Sequence, residues 1–240
     1  MIYPILFALA AVSGVVQAVT GFGSAILLMM LLPHFFDMLQ APALTSSITI
    51  GITAALAWRF RGRLQWKLVL LPTLLYEVGS LIVLSIADNL DMNLLGLSFG
   101  VFLIVLALYF LLFSSTFSVQ ATPLSACICA FISGVCSGLF GIGGPLLALY
   151  FLAATREKED YVGNLQFVFA ITTSINLVIR LYKGFYLLSF LPLTIVGILG
   201  ITVGKVVGLN ILRRINVDLM RKLIYGLVGI SGILTVLEHI

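Results

Sequence analysis

The sequence predicts an all-α polytopic membrane protein made of two repeat-related halves, each opened by a glycine-broken helical hairpin. Three observations predict it. First, 61% of the 240 residues are apolar and only 9% carry formal charge, where a soluble domain holds about 25% charged and 45–50% apolar residues. Mean hydropathy is +1.21, so lipid rather than water must solvate the outer surface. Second, stretches long enough to cross a bilayer recur along the chain. Third, the chain repeats itself at half its length. This composition excludes a disordered chain, a disulfide-stapled secreted module and a nucleic-acid binder. The net charge of +4 comes from a few short loops and reads as a topology signal.

The apolar stretches fall at 4–33, 42–58, 68–87, 92–113, 123–154, 162–181, 185–208 and 218–237. A span needs about 20 apolar residues, and six of the eight fit that length. The other two, 4–33 and 123–154, are too long for one ordinary span, and glycine interrupts both near the middle. Met1-Ile2-Tyr3-Pro4 carries no basic residue, so the first stretch reads as a retained membrane segment rather than a cleaved signal. Cys127, Cys129 and Cys136 form no CxxC pair and read as small core residues.

Ser13-Gly14-Val15 recurs as Ser133-Gly134-Val135, and the Gly21/Gly23 pair as Gly141/Gly143, at an offset of 120. Without gaps, residues 13–32 match 133–152 at seven of twenty positions, and Leu71-Pro72 recurs as Leu191-Pro192. The halves are therefore 1–120 and 121–240, a duplication typical of secondary transporters. If each long stretch is one broken span, the halves run parallel; if each is a re-entrant hairpin, they are inverted. Positive-inside counting chooses. Arg59, Arg61, Arg63 and Lys67 form the most basic loop and are placed in the cytoplasm. The hairpin reading adds Arg156, Lys158, Arg213, Arg214, Arg221 and Lys222 there and leaves Arg180 and Lys183 outside, ten against two. The broken-span reading gives six and six. Inverted halves with both termini outside are the expectation.

The glycine breaks carry the sharpest chemistry. Thr20-Gly21-Phe22-Gly23-Ser24 and Phe140-Gly141-Ile142-Gly143-Gly144-Pro145 each separate two helical pieces. Pro145 suits the start of a helix, because it has no N–H to leave unpaired. The second piece of each stretch should thus start at its break, with unpaired N–H groups and the positive dipole end exposed. That is an anion site, and irregular backbone at membrane depth is tolerated where it lines a cavity. Glycines also serve plain close packing of helices, the competing reading here.

Polar side chains at depth should face the bundle interior, since an unpaired amide in hydrocarbon costs several kcal/mol. They are Gln17 and Thr20 before the first break, Ser133 and Ser137 before the second, Thr45, Ser46, Ser47, Thr49 and Thr53 in stretch 42–58, and Asn164, Gln166, Thr172, Thr173, Ser174 and Asn176 in stretch 162–181. Many simply bond their own helix. Gln166 and Asn176 suit an anion best, because an amide donates without adding charge. Glu77 sits mid-span and is the candidate coupling group; the alternative is a carboxyl bonded to a neighbouring Tyr or Ser, or paired with Lys205. Arg180 near a span end is a candidate anion gate. Asp88 and Asp91 read as interface residues, and 155–160 as a solvated loop with local ion pairs. There is no P-loop, no HExxH and no Ser/His/Asp trio at depth. No metal or organic cofactor is expected, and His34 and His239 are given no metal role.

GFGSAILLMMLLP and GLFGIGGPLLALYFL resemble the paired glycine-rich motifs of the sulfite exporter TauE/SafE family, also called the 4-toluene sulfonate uptake permease family. The resemblance covers essentially the whole chain. The family's run is often three glycines, whereas here the copies read Gly21-Phe22-Gly23-Ser24 and Gly141-Ile142-Gly143-Gly144-Pro145, which bears on substrate fit and not on the helix break. The resemblance implies a plasma-membrane transporter for sulfite, sulfonates or related small anions. The expected substrate-binding set is Gln17, Thr20, Gly21, Gly23, Ser24, Ser137, Gly141, Gly143, Gly144, Pro145, Gln166 and Asn176, working by alternating access. The expected partners are a small anion and the bilayer, with a homo-oligomer left open. An anion channel, and a membrane-embedded enzyme or assembly subunit without transport, are the alternatives.

Overall fold

The computed structural model describes residues 2–113, 120–211, 229 and 232–237. Among them the ordered elements are helical, with no strand. The basic residues Arg213, Arg214, Arg221 and Lys222, His239, and most of the expected stretch 218–237, lie outside the described residues. The first half contains α1 (Ile2–Thr20), α2 (Ser24–Leu31), α3 (Gln40–Arg59), α4 (Trp66–Ile86) and α5 (Met92–Phe113). The second contains α6 (Pro123–Phe140), α7 (Gly144–Ala154), α8 (Lys158–Tyr182) and α9 (Leu191–Ile211). Six of these, α1, α3, α4, α6, α8 and α9, are long and apolar enough to cross a membrane. Helix is what an apolar chain must form in lipid, because it pairs its backbone internally.

Local sequence sets the ends. Thr122 and Ser125 form a reciprocal capping box with Pro123 in the first turn of α6. Asp91 accepts from the Asn93 and Leu94 amides at 2.9 Å each, capping α5. The two long stretches break at the expected glycines. Gly21 (φ 84°), Gly23 (φ 104°) and Gly141 (φ 69°) occupy left-handed conformations that side chains with a Cβ rarely adopt. The same bond closes both preceding helices: Gly21 N–H donates to Gln17 O and Gly141 N–H to Ser137 O, each at 2.8 Å.

α1 packs on α9, α4 on α6, and α3 on α8. Small residues allow the first two pairs to touch backbone to backbone. Along α1 and α9, Phe7 meets Gly200, Ala11 meets Gly204 and Val15 meets Gly208, so these helices run parallel. Along α4 and α6, Gly79 meets Phe131 and Val135, and Gly138 meets Ser80 and Val83; this pair is parallel too. α4 also runs parallel to α8, with Gln65 N–H bonded to Asn164 at one end, Ser80 to Asn176 in the middle, and Lys183 paired with Asp88 at the other. α3 is antiparallel to α8: Phe60 lies against Gly163, and Ala43 against Phe185.

The outer faces are apolar. On α4, Leu70, Leu71, Leu74, Val78, Leu81 and Ile82 are exposed, a helical stripe suited to lipid. The inner faces of α3 and α8 bury Thr45, Ser46, Ser47, Thr49, Thr53, Asn164, Gln166, Thr172 and Asn176, while Thr173 and Ser174 are half-buried.

Arg180 lies in the last turn of α8, near the span end as expected, and is fully buried within the bundle. One expectation needs correction. The acidic run 155–160 does not pair locally. Glu157 and Asp160 instead meet Arg63 across the chain, at 2.9 and 3.7 Å. That pair is largely exposed, so its contribution is about 1 kcal/mol or less.

Candidate functional site

One cavity collects both glycine breaks. Of the expected residues, Gln17, Gly23, Ser24, Ser137, Gly141, Gly143, Gly144 and Asn176 line it. The two breaks touch, since a Cβ on Gly144 would lie 3.2 Å from the Phe22 Cβ. α2 and α7 both begin at the cavity, and the residues before them, Gly23 and Gly143, provide no side-chain cap. Two helix N-termini therefore border the same space with their positive dipole ends. Pro145 stands in the first turn of α7, as its chemistry favours.

Four expected residues do not line this cavity. Pro145 borders a smaller apolar one beside Phe102 and Leu106. Thr20 is tied locally, its hydroxyl 2.8 Å from Val16 O and 2.6 Å from Phe22 O. Gly21 and Gln166 belong to a buried relay behind the wall. Ser24 Oγ donates to Gln17 Oε1, Gln17 Nε2 donates to Gln166 Oε1 at 3.1 Å, and Gln166 Nε2 donates to Gly21 O at 2.5 Å. Ser24 lies seven residues beyond Gln17, about two turns away in a continuous helix. Their bond means that the helix is interrupted at the break. Tyr161 O–H donates to Thr20 O at 2.9 Å, so α8 supplies donors to the carbonyl end of α1.

The second break is built differently. A Cβ on Gly143 would overlap the Tyr76 hydroxyl and lie 2.6 Å from Ser133 O. Tyr76 is buried and lines the cavity, yet sequence reasoning did not single it out. The available signal was a polar-tipped aromatic in mid-span, away from the interfaces where Tyr usually sits. Ser46, Thr49, Thr53 and Thr173 supply further hydroxyls to the wall, and Phe22 and Phe169 its apolar part.

Glu77, next to Tyr76 on α4, does not line the cavity. It is 8% exposed, and among the described residues neither carboxyl oxygen has a hydrogen-bond partner, neither Lys205 nor a hydroxyl. Among the described residues, no group of three His, Cys, Asp or Glu has a metal-binding arrangement.

A family model described as "Sulfite exporter TauE/SafE" matches residues 6–235. No curated protein and no solved structure matches the chain.

Proposed function

The chain belongs to the sulfite exporter TauE/SafE family, and on that premise we propose that it is a plasma-membrane secondary transporter moving sulfite, a sulfonate or a related small anion by alternating access. The family is one of transporters, and with six span-capable helices the chain is a multi-pass membrane protein. The observation that carries the reading is the opening of two uncapped helix N-termini, α2 and α7, onto one cavity. Such ends hold an anion through backbone N–H groups and dipoles without a formal charge that would trap it. Gln17, Ser24, Ser137 and Asn176 add side-chain contacts at the wall. In this reading Gln166, Gly21 and Thr20 hold the first break in shape, and Pro145 starts the second helix.

Helix directions support inverted halves. α6 and α8 both run parallel to α4, so α7 between them must return rather than continue across. The short connection from α8 to α9 reverses direction, which sets α9 and α1 against α8, and α3 is likewise antiparallel to α8. α1 and α3 then run one way and α6 and α8 the other, with α2 and α7 as the re-entrant arms. Rocking of such halves about a midplane site is the usual route to alternating access. With native cysteines removed, Gly62→Cys and Lys158→Cys should react with an impermeant maleimide from the cytoplasmic side, and Asp88→Cys from outside. Labelling of Gly62→Cys and Lys158→Cys from opposite sides would refute inversion.

Transport itself is tested in liposomes holding the purified protein. Saturable sulfite or sulfonate uptake with trans-stimulation is the expected result. Linear, non-saturating flux would mean a channel, and no flux of any anion would mean a role without transport. Coupling is read in the same assay. Acceleration by an imposed proton gradient in wild type but not in Glu77→Gln assigns coupling to Glu77. Flux following voltage alone assigns it to the membrane potential, worth about 2.3 kcal/mol per charge at 100 mV.

A further inference from the structure

Arg180 on α8 is fully buried. Its Nη2 donates to Ser137 O and Gly138 O, both at 2.9 Å, the carbonyls at the end of α6. Its Nε and Nη1 have no hydrogen-bond partner, and no carboxylate forms an ion pair with it among the described residues. One turn earlier on the same helix, Asn176 accepts from Ser80 Oγ at 2.8 Å, while its Nδ2 is buried without a partner. Asn176 and Ser137 both line the central cavity, so Arg180 stands one residue behind that wall.

A buried guanidinium without a counter-charge is an expensive arrangement. Two carbonyl oxygens satisfy part of its donor set and also let it offset the negative end of the α6 dipole. The remaining N–H groups form part of a planar fork that matches an oxyanion. The unused Asn176 amide donor points to the same class of ligand, because all three unpartnered polar groups here are donors. We propose that Arg180 and Asn176 form a second anion station, which adjoins the glycine breaks and shares Asn176 with the central cavity, and which receives a small oxyanion as Arg180 releases the α6 carbonyls. This rests on the transport reading above and adds to it a step between the central cavity and one membrane face.

The test is thermal unfolding of the purified full chain in detergent, with sodium sulfite titrated against sodium chloride at equal ionic strength. The wild-type midpoint should rise with sulfite. Arg180→Gln should weaken apparent sulfite affinity about tenfold or more, and Arg180→Lys, which keeps the charge but not the fork, should fall between. Asn176→Asp places a carboxylate one turn from Arg180. It should raise the midpoint without sulfite above that of wild type and weaken the sulfite response. Equal sulfite affinity in wild type and Arg180→Gln overturns the station while leaving the transporter reading intact. Where Arg180→Gln does not fold, a lowered sulfite-free midpoint in Asn176→Asp overturns it. A wild-type protein that neither responds to sulfite nor moves it removes both readings.

Discussion

Replacing Gly143 with alanine is expected to cut anion flux about a hundredfold while leaving the protein folded in the membrane. Gly143 immediately precedes α7, and both it and the Tyr76 hydroxyl border the cavity. A methyl group there would overlap that hydroxyl and approach Ser133 O to 2.6 Å. Neither neighbour can yield cheaply, since one is a buried aromatic and the other is helix backbone. The start of α7 must shift instead, and its N–H groups turn away from the position an anion would occupy. The stability cost of such overpacking is about 1–3 kcal/mol, too small to unfold a protein of ordinary stability. Gly51→Ala is the matched control: it lies on α3 with nothing within 4 Å of its Cβ position. Its flux should equal that of wild type. Adding Tyr76→Phe to Gly143→Ala removes the overlapping oxygen and should restore part of the flux. Normal transport by Gly143→Ala would remove the second break from the site.

The breaks were legible because their cause is local. Glycine at 21, 23 and 141 permits backbone that other residues resist, and that property needs no knowledge of neighbours. The burial of the Ser, Thr and amide residues of α3 and α8 was legible for a similar reason, because hydrocarbon penalises each one individually. Partnership was not. Gln17 and Gln166 are 149 positions apart in sequence, and nothing in either segment announces the other. Arg180 is the span-end cation the sequence suggested, but its burial was not legible, because hydropathy records depth and not which helix covers a residue. Tyr76 lay in a run of uniform hydropathy, where orientation is set only by the approach of α6 to Gly79. The sequence could weigh return against continuation of the long stretches only through loop charges. The contacts that bear on direction, Gly79 with Phe131 and Asp88 with Lys183, are tertiary.

Gln166→Leu should destabilise the protein by about 2–6 kcal/mol, since it leaves two buried polar groups unpaired at about 1–3 kcal/mol each. The Gly21 carbonyl loses its donor and the Gln17 amide loses its acceptor. Both lie at the first break, so the effect reaches past stability. Gln17 orients Ser24 at the start of α2, and without Gln166 this relay has no anchor on α8. Flux in the folded fraction should therefore also fall. The repeat-related position offers an internal comparison, because Ser46 stands 120 residues before Gln166. Ser46 donates only to Pro42 O on its own helix, at 2.8 Å. Ser46→Ala should cost no more than about 1 kcal/mol, as expected for a hydroxyl bonded back to its own turn. Thermal unfolding of the two variants, with flux normalised to folded protein, checks the difference. Equal, small losses would mean that the relay does not hold the first break, and that its shape comes from Gly21, Gly23 and the Thr20 hydroxyl alone.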